Sequence, residues 1–106
     1  ARDIEMQKGY QIATLVPLKT VKDCKEALEI CHDISKIMDD SMASDVGSGA
    51  CMANAGAISA AYNVRINIKS INDSEFCKKM DKEINELLNE CKTLSDKISK
   101  IVKKTF

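Results

Sequence analysis

Apolar residues recur at helical spacing along nearly the whole chain. Near its C-terminus, Cys77, Met80, Ile84, Leu87, Cys91, Leu94, Ile98 and Ile101 follow at steps of 3, 4, 3, 4, 3, 4 and 3. That alternation is a heptad seam and predicts one helix. Asn72, Asp73 and Ser74 offer N-terminal caps for it, and Lys100, Lys103 and Lys104 lie where a helix dipole favours cations. A helix of about 30 residues spans roughly 45 Å. Such length in a small domain predicts packing against a second chain as well as its own.

Upstream, Val21, Cys24, Leu28, Cys31, Ile34 and Met38 form one apolar face, with Lys22, Lys25, Glu26, Glu29 and Asp33 on a solvated opposite side. Ile4 to Val16 also reads as helix. Pro17 lacks a backbone donor and disfavours helical geometry at Val16, so it either kinks a continuous helix or starts a new one. Asp39 to Ser44 reads as a loop, after which Ser44 or Asp45 can cap a helix from about Val46. The end of that helix is ambiguous. Val64, Ile66 and Ile68 alternate with polar residues as in a strand, yet no second strand exists to pair with it. The helix is therefore expected to reach Ile68, with a loop over Lys69–Asp73. The expected fold class is all-α, a multihelical bundle with a long C-terminal heptad helix; its arrangement as an intertwined or packed homodimer is an expectation that the family resemblance given below implies.

The middle helix is unusual. Eleven of the fifteen residues from Gly47 to Ala61 are Gly, Ala or Ser. Gly49, Ala53, Ala57 and Ala61 repeat every four positions, and Gly56 and Ala60 extend the ridge. Glycine costs about 1 kcal/mol against alanine inside a helix, so close packing or a bound group must offset it. The ridge is either a central packing surface or a floor for a flat ligand. A phosphate loop at Gly47-x-Gly49 is disfavoured, because no strand precedes it and no Lys follows. Asn63 and Asn67, four apart, share a helix face. Their amides suit a heterocycle edge such as a pterin, and Arg65 offers a fork for a carboxylate. The alternative is that these residues cap the helix and pair with surface carboxylates.

Composition narrows the class. The 106 residues suffice for one domain. Sixteen basic residues balance sixteen acidic ones, which gives no footprint for nucleic acid or a charged membrane. Four aromatics and no Trp argue against a base-stacking platform. The five cysteines form no C-x-x-C pair and are expected to be buried free thiols of a cytoplasmic protein. Cys31 and His32 are adjacent and so face apart on a helix. A catalytic Cys–His pair or a metal site is not expected, and His32 reads as a surface or partly buried residue. No signal peptide or transmembrane span is read; Val46 to Tyr62 is too short and Asn54 interrupts it.

The block "SDVGSGACMANAGAISAAYNVRIN", followed by "IKSINDSEF", resembles the cyclodeaminase/cyclohydrolase family of folate enzymes. Ser44-Asp45 opening the small-residue helix, Asn63-Val64-Arg65-Ile66-Asn67, and Asp73 with Glu75-Phe76 carry the likeness. Val16-Pro17-Leu18 fits as well, and the resemblance covers essentially all of residues 1–106. It implies an all-helical, dimerising domain with a folate site between helices. It also implies hydrolysis of 5,10-methenyltetrahydrofolate to 10-formyltetrahydrofolate, or deamination of a formimidoyl folate with release of ammonia. Beyond the tetrahydrofolate substrate no cofactor or metal is implied.

Carried over by motif, Ser44, Asp45, Asn63, Arg65 and Asn67 are the substrate-binding candidates. Asp45 is their only acid, either a cap or a pocket carboxylate and a weak catalytic candidate. The family's Gly-rich segment and its acidic catalytic residue have no counterpart here. The chain therefore reads as the C-terminal part of the domain, with an N-terminal part missing and the main acid/base outside it. The opening at Ala1, without Met and already in helix, fits that expectation. A competing class remains: a non-catalytic helical assembly module, supported by the heptad seam.

Overall fold

A computed structural model describes all of residues 1–106. Three helices run up, down and up as a rod of 59 × 17 × 16 Å. They are α1 (Arg2–Ile37), α2 (Ala43–Ile68) and α3 (Ser74–Lys103). A single 3-10 turn, Asp40–Met42, joins the first two. There are no strands, so the Val64–Ile68 alternation lies within α2.

Pro17 does not divide α1, which stays one element of 36 residues. The loop expected over Asp39–Ser44 is shorter and more ordered. Asp39 caps the 3-10 turn by accepting from the Ser41 N–H, and the turn runs directly into α2. Neither Ser44 nor Asp45 is the cap of α2. Both lie inside its first turn, because the backbone N–H of Ala43 is already bonded to the Asp40 carbonyl. At α3 the expected cap forms, with the Asp73 carboxylate accepting from the Phe76 N–H at 3.1 Å. Gln7 ties down the α2–α3 connection. Its Nε2 donates to the Ser70 carbonyl at 2.9 Å, and its Oε1 accepts from the Asn72 N–H at 2.8 Å.

The core is one cluster along the rod axis, with Leu18, Val21 and Leu28 of α1 meeting Val64 of α2 and Ile84, Cys91 and Ile98 of α3. Met80, Ile84, Cys91 and Ile98 of the apolar series are buried, and Leu87 and Leu94 pack beside them, within the chain itself.

The small-residue helix has a packing explanation. The Cys24 thiol of α1 lies 3.1 Å from where a Cβ on Gly56 would stand, and the Cys31 thiol lies 3.9 Å from that position at Gly49. These pairs are seven residues apart on both helices and run in opposite directions. Sulfur thus fills the gaps left by missing side chains. On the other flank, the space at Gly47 is met by Val102 of α3 at 3.1 Å. Ala50, Ala57 and Ala61 are buried between these contacts.

Burial of the thiols is uneven. Cys91 is buried, Cys24, Cys31 and Cys77 are half-buried, and Cys51 is exposed, contrary to expectation for that residue. Cys51 lies on α2 beside a concavity shared with α3, where it stays open to solvent. No helix is long and apolar enough to cross a membrane.

Candidate functional site

The backbone carbonyl of Ala13 is where α1 and α2 meet chemically. In an uninterrupted helix it would accept from the N–H four residues on, but that residue is Pro17, which has none. Asn67 of α2 reaches across, its Nδ2 3.4 Å from the Ala13 oxygen. This is a long bond, directed at the acceptor that Pro17 leaves free.

Around this contact lies a groove of about 420 Å³. Val16, Pro17 and Thr20 form its α1 wall, and Ser59, Asn63 and Asn67 its α2 wall. Gly56 and Ala60 keep the floor low. Asn63 donates from Nδ2 to its own helix at the Ser59 carbonyl, 3.1 Å away. Thr20 donates to the Val16 carbonyl at 3.4 Å. No ionisable side chain lines the groove. It can hold a flat neutral group by hydrogen bonds, and its own walls carry no acid or base for proton transfer.

A second concavity of about 590 Å³ lies towards the other end of the rod, between the N-terminal half of α2 and the C-terminal turns of α3. Ser44, Ser48 and Cys51 face Ser95, Ser99 and Phe106 across it. Nineteen residues of helix separate Ser44 from Asn63, roughly 28 Å.

The five sequence candidates therefore do not form one cluster. Asn63 and Asn67 share the α1–α2 groove. Ser44 lines the distant cavity. Asp45 is exposed and lines neither. Arg65 turns to the opposite flank of α2, where its Nη2 donates to Asn85 Oδ1 of α3 at 2.9 Å. The split follows from helical geometry: at about 100° per residue, position 65 points well away from positions 63 and 67. Sequence reading missed Thr20 and Ser59. Ser59 was findable, since 59, 63 and 67 are successive steps of four. Thr20 was not, because nothing local shows which part of α1 lies beside Asn63.

Of the titratable groups, Cys91 and Cys24 are the displaced thiols. Desolvation raises both above their ordinary value; for Cys91 the neighbouring Cys24 adds to this, and for Cys24 the charge of Asp23 does. Both favour the protonated form and lie in the helix packing, not in the groove. No three His, Cys, Asp or Glu side chains come together in a way that could hold a metal ion.

An elongated three-helix bundle, with an amide-edged groove beside an in-helix proline and apolar side chains exposed on its surface, is the class this architecture defines. The chain belongs to the formiminotransferase-cyclodeaminase family, whose model matches residues 1–103. It is 33% identical over 103 residues to the methenyltetrahydrofolate cyclohydrolase of Methylorubrum extorquens, a match covering 97% of this chain and 50% of that protein. It is 30% identical over 92 residues to the formimidoyltransferase-cyclodeaminases of Rattus norvegicus and Mus musculus, covering 87% of this chain and 17% of each of those proteins. The chain thus spans about half the length of the first relative and a smaller share of the other two.

Proposed function

We propose that this chain is part of a folate one-carbon enzyme that hydrolyses 5,10-methenyltetrahydrofolate to 10-formyltetrahydrofolate, with the pterin ring seated in the α1–α2 groove. One observation carries the reading. Two segments that bear the family likeness, far apart in sequence, each send residues into this one groove: Val16 and Pro17 from the first, Asn63 and Asn67 from the second. In the reaction, water adds to the cationic carbon bridging N5 and N10 and gives up a proton. The N5–carbon bond then breaks, N5 takes a proton, and the formyl group stays on N10. One proton is released overall. A base must accept it.

Asp45 is eighteen residues from Asn63 along α2, roughly 27 Å, so it does not serve as that base for a ring bound at Asn63 in the same protomer. The base comes from a polypeptide segment outside residues 1–106 or from a second copy. Ser44, Asp45 and Arg65 then contact other parts of the substrate or the partner. We place the enzyme in the cytoplasm, as a homodimer that needs no cofactor besides the folate.

Surface area supports a partner. The chain exposes 6950 Å², against about 5,900 Å² for a compact monomer of this mass. The excess, on the order of 1,000 Å², compares with the roughly 800 Å² each partner gives to a standard interface. Exposed apolar side chains lie on α1, among them Ile12, Val16 and Ile37, and on α2, where Met52, Ile58, Tyr62 and Ile66 are all exposed. Between Asp45 and Arg65 that helix has no charged residue.

The likeness to the two rodent cyclodeaminases favours a second reading, release of ammonia from a formimidoyl folate. The test uses the complete gene product with each folate in turn. Faster loss of the methenyl chromophore than in buffer supports the cyclohydrolase. Ammonia from the formimidoyl compound supports the cyclodeaminase. Neither result would leave a non-catalytic assembly module.

A further inference from the structure

Each amide in the groove spends one of its two N–H donors on a backbone carbonyl. Asn63 Nδ2 is held by the Ser59 carbonyl at 3.1 Å and Asn67 Nδ2 by the Ala13 carbonyl at 3.4 Å. An amide is planar, so pinning its nitrogen to a backbone oxygen turns Oδ1 away from that backbone. Neither Oδ1 accepts a hydrogen bond within the chain, and each keeps two lone pairs. Thr20 behaves alike, spending its proton on the Val16 carbonyl and keeping its lone pairs. Each Nδ2 keeps one N–H and Ser59 keeps its hydroxyl, but the lone pairs of the two Oδ1 atoms and of Thr20 outnumber them, so the groove edge offers more acceptors than donors, without charge.

We infer that the groove reads the hydrogen-bond donor edge of the bound ring, with Asn63 Oδ1 as the specificity-determining acceptor and Asn67 as a positioning residue locked by the Pro17 break. The inference rests on the groove being the folate-ring site. It fixes which way round the ring sits. The edge bearing the ring amino group and adjacent N–H faces α2, and an edge bearing only acceptors is rejected because it would meet acceptors. An unmatched hydrogen-bonding group is worth about tenfold in affinity at a partly exposed site.

The test measures kcat and KM of the complete gene product on methenyltetrahydrofolate and on its analogue with hydrogen in place of the ring amino group. Wild type is expected to show a KM about tenfold higher for the analogue, with kcat little changed. Asn63→Leu should raise KM about tenfold for the natural ring only, erasing the preference. Asn63→Asp keeps an acceptor and should restore it. Circular dichroism would confirm that each variant is folded, which is expected because Asn63 is exposed. If Asn63→Leu raises both KM values alike, or leaves the preference intact, the inference is overturned while the folate reading stands. If wild type turns over neither compound, the folate reading falls and the inference with it.

Discussion

Asn67 and Pro17 act as a pair across two helices: the proline removes an N–H from α1, and the asparagine lends one to the Ala13 carbonyl left behind, 3.4 Å from its Nδ2. A proline inside a helix ordinarily costs about 3 kcal/mol. Pro17→Ala should therefore stabilise the chain, on the order of 1–3 kcal/mol, by restoring the local bond. Asn67→Leu should cost about 1 kcal/mol in the native background and clearly less once Pro17 is Ala. Urea unfolding of the four variants checks this. Equal costs in both backgrounds would show that the two residues are uncoupled.

The thiol–glycine contacts give a graded prediction. Gly49→Ala adds a methyl group at ordinary contact distance, 3.9 Å from the Cys31 sulfur. It should gain helix propensity, up to about 1 kcal/mol. Gly56→Ala meets the Cys24 sulfur at 3.1 Å, which forces the thiol to shift and cancels most of that gain. Thermal melts should rank Gly49→Ala above Gly56→Ala. The reverse order would place the closest approach of α1 and α2 elsewhere.

These contacts also show what the sequence could reveal. The periodic series of α3 and its Asp73 cap were legible because both are local: a step of 3 and 4, and a carboxylate three residues before a free N–H. The end of α2 at Ile68 was legible because a lone strand has no partner. Continuity through Pro17 was not, since the compensating amide comes from Asn67, fifty residues on. The cap of α2 was misread because the 3-10 turn supplies through the backbone what Ser44 or Asp45 would supply through a side chain. For the candidate site, only the co-location of some residues was legible. Spacing of four put Asn63 and Asn67 together, but family motifs carry no information about the roughly 28 Å separating Ser44 from Asn63.

Core packing gives the firmest stability prediction. Ile84 is fully buried in the cluster where the three helices meet. Ile84→Ala removes buried methyl groups and leaves a cavity, at a cost of about 2–5 kcal/mol. A small domain has about 5–15 kcal/mol in all, so the urea midpoint should fall sharply. Leu87, only partly buried beside it, should cost less on truncation to Ala. An equal or larger loss at Leu87 would show that α3 is rotated relative to the other helices.

The desolvated thiols predict a pH dependence. Desolvation raises the Cys91 and Cys24 thiols above the ordinary 9.0. In the unfolded chain they ionise near that ordinary value, while in the folded chain they keep their protons to higher pH. Above pH 9 the unfolded state therefore holds fewer protons, and stability falls as pH rises until the folded thiols ionise too. Denaturant midpoints should decline from about pH 9 upward, and the decline should be shallower in Cys91→Ala measured against its own value at pH 7. Alkylation at pH 8 should label exposed Cys51 well before buried Cys91. Labelling of Cys91 first would mean that the α1–α3 contact opens readily.

The outer face of α2 separates folding from assembly. Met52 is 74% exposed and Tyr62 64% exposed, so a charge at either position stays in water when the chain folds alone and should change its stability by no more than about 0.5 kcal/mol. If a partner covers that face, Met52→Lys buries an unpaired ammonium in the interface, which is costly. Sedimentation should then show wild type as a dimer and Met52→Lys as a monomer with unchanged helix content. Lys92→Glu, on an exposed charged position of α3, serves as the control and should leave the association state as it is. A dimer that survives Met52→Lys and Tyr62→Lys would place the contact on another face, and the uncharged stretch between Asp45 and Arg65 would need a different explanation.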